Sequence, residues 1–148
     1  MKHNSKIQLL DVNVLVALAI RDHPRHAEAM QWFHSMRKHG FSTCAITQCG
    51  LVRLASNREI YKVRVSHESA ILALRSLTSL QEHTFWRMDL NYEDAIAPIR
   101  SRITGYKQTT DVYLLGLAIH HGGVLATMDG GILELARPDL LDSIELIA

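Results

Sequence analysis

The chain has no apolar run near the roughly 20 residues that a membrane-crossing helix requires, which excludes a helical membrane protein. Its first residues, Met1-Lys2-His3-Asn4-Ser5-Lys6, lack the apolar segment of an export signal, so a cytoplasmic protein is expected. Cysteine is scarce. Cys44 and Cys49 are too few for a disulfide framework and read as small buried side chains in a reducing compartment, the first in a strand and the second in the following helix. An excess of one charge is missing too: 16 Lys and Arg against 15 Asp and Glu leave a net charge of +1, with no bulk field to attract nucleic acid. Any basic surface must then be local. Arg53, Arg58, Lys62, Arg64 and Arg75 gather mid-chain, although each alone reads as part of a solvated helix face.

What is present fits one globular domain over residues 1–148. Hydrophobic residues at 47% and charged residues at 21% exclude a disordered chain, and only three prolines, no repeat and no low-complexity tract interrupt it. A domain of this length buries roughly two-thirds of its unfolded surface. Nine histidines are scattered along it; His23 and His26 have helical spacing for a metal but no acidic or thiol partner nearby, and read as structural or surface residues.

Patterning alternates strands with helices. Ile7–Leu10 reads as a short apolar strand, and Val12–Ile20 continues with helical spacing. Pro24 suits the first turn of a helix His26–Lys38, closed by Gly40. A strand Phe41–Ile46 leads to a helix Gln48–Ser56 with Thr47 as its N-cap, then a helix from Ser66 to Leu80. A strand over residues 84–88 precedes a helix Tyr92–Ile103 with a possible kink at Pro98. Thr109 or Thr110 caps a helix Asp111–His121, followed by a strand Val124–Met128, a short helix Ile132–Ala136 and a last strand Ile144–Ile147. Such interleaving predicts a three-layer α/β/α fold with a mostly parallel central sheet.

Three aspartates stand at element ends in this reading. Asp11 closes the first strand, Asp111 opens a long apolar helix and Asp129 closes the strand Val124–Met128. Each alone has a plain explanation: an N-cap, a first-turn acid favoured by the helix dipole, a turn residue before Gly130-Gly131. Together they suggest more. In an open parallel sheet, strand carboxyl ends and helix starts share one edge, so all three would meet in one acidic pocket. Clustered carboxylates repel unless protonated or bridged by a cation.

Around these acids the chain reads Asp11-Val12-Asn13, Thr109-Thr110-Asp111-Val112-Tyr113 and Thr127-Met128-Asp129, with Thr47-Gln48-Cys49-Gly50-Leu51 and His120-His121-Gly122-Gly123 between. In these segments and their order it resembles the PIN-domain family, specifically the VapC-type toxins of bacterial toxin–antitoxin pairs. The resemblance implies a metal-dependent endoribonuclease cleaving a structured RNA such as a tRNA or rRNA loop, a VapB-like antitoxin partner and a homodimer. It also implies an acidic site of Asp11, Asp111 and Asp129, with a glutamate where this chain carries Gln48. Glutamine can still offer a carbonyl oxygen to a metal, but one charge fewer weakens cation binding. Asp94 and Glu134 are acids able to compensate, though no spacing singles out either.

The chemistry that follows is that of a hard cation, Mg²⁺ with Mn²⁺ as substitute, which lowers the pKa of a bound water and stabilises charge on the scissile phosphate. Thr127 and Asn13 are placed to orient that water or a phosphate oxygen. Arg53, Arg58, Lys62 or Arg21 would contact phosphates at the rim. Trp32, Phe33 and Trp86 could stack on bases but read better as core. For the dimer, Leu51, Leu54, Ile71, Leu72 and Leu74 offer spare apolar area. Three other readings compete. A haloacid-dehalogenase-type phosphatase wants an aspartate where Asn13 stands, and a phosphoprotein receiver domain wants an acidic pair before the first-strand aspartate. The third is a catalytically weak or inactive PIN-like RNA-binding module, prompted by Gln48.

Overall fold

Side chains alternate along the two central strands and so divide the core between two sides of one sheet. The computed structural model describes residues 6–57, 65–103, 105–136 and 138–148. In chain order its strands and α-helices are β1 Gln8–Leu10, α1 Val12–Ala19, α2 His26–Met36, β2 Phe41–Thr43, α3 Ala45–Ala55, α4 His67–Thr78, β3 His83–Phe85, α5 Tyr92–Ile96, α6 Thr109–His120, β4 Val124–Thr127 and β5 Ile144–Leu146. Leu9 and Leu125 pack with α5 and α6 on one face, whereas Leu10 and Ala126 pack with α1, α3 and Phe33 of α2 on the other. These four side chains are fully buried, each leucine contributing about 1.5–3 kcal/mol. The result is the expected three-layer α/β/α architecture.

Every strand pair is parallel, in the order β3-β2-β1-β4-β5. From β1 the chain winds outward through β2 to β3, then returns to the other side of β1 for β4 and β5. The reversal lies between β1 and β4, and in open α/β sheets ligand sites lie outside the strand carboxyl ends at such a point. Asp11 and Asp129 follow those two strand ends.

Two glycines allow the helices to approach closely. A Cβ on Gly50 would stand 2.5 Å from Val12 Cγ2, and one on Gly116 would stand 2.0 Å from the carbonyl oxygen of Ala95. Alanine does not fit at either place, so α3 rests on α1 and α6 on α5.

Several boundaries differ from the patterning, each for a local reason. The second strand ends at Thr43, because Cys44 is already the N-cap of α3 and Thr47 lies inside the helix, its hydroxyl accepting from the Cys44 N–H at 2.9 Å. Cys49 is exposed rather than buried, since Gly50 and Leu51 take the inward face. The third strand stops at Phe85; the Trp86 N–H donates to the Thr43 carbonyl and the chain then leaves the ladder. Pro98 lacks an N–H, and α5 gives way at Ile96 to a tighter 3₁₀ stretch, Ala97–Arg102. Helix α6 begins at Thr109 with Gln108 as its N-cap, so neither threonine caps it. The short helix after Asp129 is a 3₁₀ turn, Gly130–Glu134. Phe33 and Trp86 are core residues, each 5% exposed.

Candidate active site

Asp11 is the first residue beyond β1 and the N-cap of α1, and its backbone N–H donates to the Ala126 carbonyl of β4. Its Oδ1 accepts from the Val12 N–H and its Oδ2 from the Thr127 hydroxyl, both at 2.7 Å. Only 6% of the residue is exposed. Burial pushes this carboxyl up from its ordinary range; the bonds from Thr127 and Val12 oppose the shift and the nearby Asp129 charge adds to it.

Thr127 is the hub of this end of the sheet. Its hydroxyl donates to Asp11 and accepts from Asn13 Nδ2 at 3.2 Å and from the Asp129 N–H at 3.1 Å. One hydrogen and two lone pairs are thereby all engaged. Asn13 completes the tie by accepting from the Met128 N–H at 3.1 Å. Asp129 caps the 3₁₀ turn, its Oδ1 accepting from the Gly131 N–H at 2.9 Å. Arg25 braces the same corner from α2, donating to the Met128 and Ile147 carbonyls while paired with Glu28.

Asp111 reaches this corner from the first turn of α6. Its carboxyl is pushed up to about 6, first by burial and then by the charges of Asp11 and Asp129. Residues 11, 111 and 129 thus act on one another across a hundred positions of chain. They are not drawn into tight contact: among the described residues, the one set of three His, Cys, Asp or Glu ligand atoms all within 4.8 Å of one another is Asp89, His120 and His121.

Gln48 lies on α3, which follows β2. Its Nε2 donates to Thr43 Oγ1 at 3.0 Å, and that hydroxyl also meets His83 Nε2 at 2.7 Å. Gln48 lines an apolar cavity of about 560 Å³ between α3 and α4, with Val52, Ile71 and Leu74. A second cavity, of about 390 Å³, touches Val12 and Thr110, the chain neighbours of Asp11 and Asp111, with exposed Arg53 on its wall. Arg21 and Arg75 are also exposed, whereas Arg58, Lys62 and Arg64 lie outside the described residues. Asp94 and Glu134 are exposed side chains. His26 Nδ1 meets the Ala17 carbonyl at 2.7 Å and His23 Nδ1 accepts from the Arg25 N–H, which are structural roles. Among the described residues no helix is long and apolar enough to cross a membrane.

Known proteins are similar to this chain in sequence and in fold. Residues 9–138 match the PIN domain. Ribonuclease VapC39 of Mycobacterium tuberculosis is 38% identical over 134 residues, covering 90% of this chain and 96% of that protein. Ribonuclease VapC44 of the same organism is 42% identical over 130 residues, covering 88% and 91%. In fold, the chain is similar to the crystal structure of VapBC2 from Rickettsia felis bound to a promoter DNA fragment, with a TM-score of 0.66 at 15% identity over 96% of this chain and 99% of that one. It is likewise similar to Mycobacterium tuberculosis VapC20, a sarcin-ricin loop cleaving toxin, with a TM-score of 0.65 at 15% identity over 85% and 92%. Matched across most of its length by the domain and by VapC ribonucleases, the chain belongs to the PIN-domain family.

Proposed function

We propose that the chain is a divalent-metal-dependent endoribonuclease of the VapC toxin type, with Asp11, Asp111 and Asp129 holding the ion. The observation that carries this reading is the gathering of three carboxylates at the sheet's reversal point, where burial first and the charges of Asp11 and Asp129 next push Asp111 up to about 6. The donor set fits: hard carboxylate oxygens suit Mg²⁺ or Mn²⁺, and a cation would relieve the repulsion among them. When bound, the ion would supply an activated water and a counter-charge for the scissile phosphate.

The chain's own residues do the rest. Thr127 has no hydrogen left for a water, so it serves as a positioning residue, fixing the Asp11 carboxylate while Asn13 fixes Thr127 in turn. Asp111, half-buried and electrostatically crowded, holds its proton up to about pH 6, and its neutralisation below that would weaken cation binding. Arg53 supplies a positive charge on the cavity wall where an RNA phosphate can dock. An RNA with an unpaired loop suits this site, because a splayed strand can approach a recessed pocket. Gln48 can add its carbonyl oxygen to the ion's surroundings, since its bond to Thr43 uses only the Nε2 donor.

The proposed partners are a VapB-like antitoxin that covers the acidic pocket and a second copy of the chain. For the dimer, Leu72 is 48% exposed on α4 while Leu51 is wholly buried in its own core, so α4 is the better contact. Light scattering of the folded protein checks it; a monomer contradicts it.

The decisive experiment incubates purified protein with total RNA in Mg²⁺ or in chelator. Cleavage in Mg²⁺ that is lost with chelator and in Asp11→Asn is expected. RNA binding without metal-dependent cutting would instead establish an inactive RNA-binding module.

A further inference from the structure

Far from the three aspartates, the loop after β3 and the end of α6 bring two imidazoles and a carboxylate together. His120 is the last residue of α6 and His121 its C-cap; Asp89 lies between β3 and α5. His120 Nε2 stands 3.3 Å from Asp89 Oδ1, and His121 Nε2 stands 3.7 Å from the same oxygen. Asp111 and His120 are nine residues apart on one helix, so about 13 Å separates this cluster from the acidic pocket along the helix axis. The two groups also flank opposite ends of β4.

We propose that Asp89, His120 and His121 form a second cation site, suited to a zinc-class divalent ion, that ties the β3–α5 loop to the end of α6.

Distance is the first argument. A charge-assisted N–H···O⁻ bond closes to about 2.7–2.9 Å, and both pairs here are longer. A tetrahedral ion with ligands at about 2.0–2.1 Å holds neighbouring donor atoms about 3.3 Å apart. All three donor atoms lie within 4.8 Å of one another, which leaves only small side-chain adjustments.

Pre-organisation is the second. The His121 ring stacks on Trp86, with centroids 4.7 Å apart and 14° between planes. Trp86 is itself held: a Cβ on Gly123 would stand 2.4 Å from its ring, so only glycine admits the indole there. Gly122 turns the chain at φ 71, a conformation that glycine tolerates, directly after the ligand pair. His121 Nε2 also donates to the Arg87 carbonyl at 3.0 Å; binding the ion there would replace that bond and place the ring proton on Nδ1.

Donor chemistry is the third. Two nitrogens and one oxygen suit Zn²⁺ or its neighbours, with a fourth position open to water, whereas Mg²⁺ favours an all-oxygen shell. The carbonyls ending α6 carry the negative pole of the helix dipole and favour a cation. Distinct metal preferences thus separate this site from the acidic pocket.

Co²⁺ titration of the tag-free full chain tests the proposal, because tetrahedral Co²⁺ absorbs visibly and quenches a nearby indole. One equivalent should produce the visible band and quench Trp86, Zn²⁺ should displace it, and excess Mg²⁺ should leave it in place. The band should survive Asp11→Asn. His120→Ala and Asp89→Asn should each weaken Zn²⁺ binding, read by calorimetry, by at least about tenfold to a hundredfold, while Mg²⁺-dependent RNA cleavage stays unchanged. Asp89→Asn is nearly isosteric and exposed, so it serves should His120→Ala fail to fold. No saturable Co²⁺ or Zn²⁺ binding, or binding that persists in Asp89→Asn and disappears in Asp11→Asn, would overturn the site.

Discussion

Replacing Asp111 with asparagine should make the metal-free protein more stable at neutral pH while removing its activity. Asp111 is a liability to the fold because burial and two neighbouring carboxylates disfavour its charge. Below pH about 4 its carboxyl is protonated in folded and unfolded chains alike and has no net effect. From there to about 6 the unfolded chain gives up the proton and the folded one keeps it, so stability falls as pH rises and levels off above. Taken in full, a rise from 3.8 to about 6 corresponds to about 3 kcal/mol. Solvent reaches this half-buried group and screens it, which brings the expected penalty to about 1 kcal/mol, or a Tm change of about 3 °C for a chain of this size. Asparagine carries no charge, so the advantage of Asp111→Asn should be near zero at pH 4 and complete by pH 7. Urea unfolding in chelator between pH 4 and 8 measures it. A pH-independent difference, or a variant less stable at pH 7.5, would refute the coupling. Excess Mg²⁺ should reverse the order by stabilising only the wild type.

Other perturbations test neighbouring parts of the account. Thr127→Val keeps the shape but strips Asp11, Asn13 and the Asp129 N–H of their shared partner; RNA cleavage should fall about tenfold to a hundredfold and unfolding free energy by about 2 kcal/mol, with Thr127→Ser recovering most of both. Gln48→Glu adds a carboxylate to α3 and should tighten Mg²⁺ binding by calorimetry; an unchanged affinity removes position 48 from the ion's surroundings. Gly116→Ala drives a methyl into the Ala95 carbonyl and should lower the unfolding free energy by about 1–3 kcal/mol in denaturant titration.

The sequence displayed the sheet clearly because its central strands are buried on both faces. Leu9-Leu10 and Val124-Leu125-Ala126 are continuous apolar runs with no polar alternation to confuse them. The aspartates were legible for the same reason: each ends or begins such a run, and topology alone brings the ends together. Where patterning failed, the information was tertiary or lay in reversed capping chemistry. Thr47 suits a helix start and Cys44 reads as strand, and only the bond from the Cys44 N–H to the threonine hydroxyl shows that Cys44 is the cap and Thr47 lies inside the helix. Cys49 looks apolar in a row, yet the contact between Gly50 and Val12 turns it outward. The hydroxyl of Thr127 reads in the chain as a candidate for water; the bonds it makes to residues 11, 13 and 129 leave it nothing to donate. His120 and His121 are visible as a pair, but Asp89, their partner, is more than thirty positions away with no pattern linking them.

Anomalous scattering from crystals soaked in Mn²⁺ bears most directly on the acidic pocket. A peak lying among the oxygens of Asp11, Asp111 and Asp129, and gone in Asp11→Asn, is the expected result. Manganese found nowhere near them, or only beside Asp89, would contradict the account.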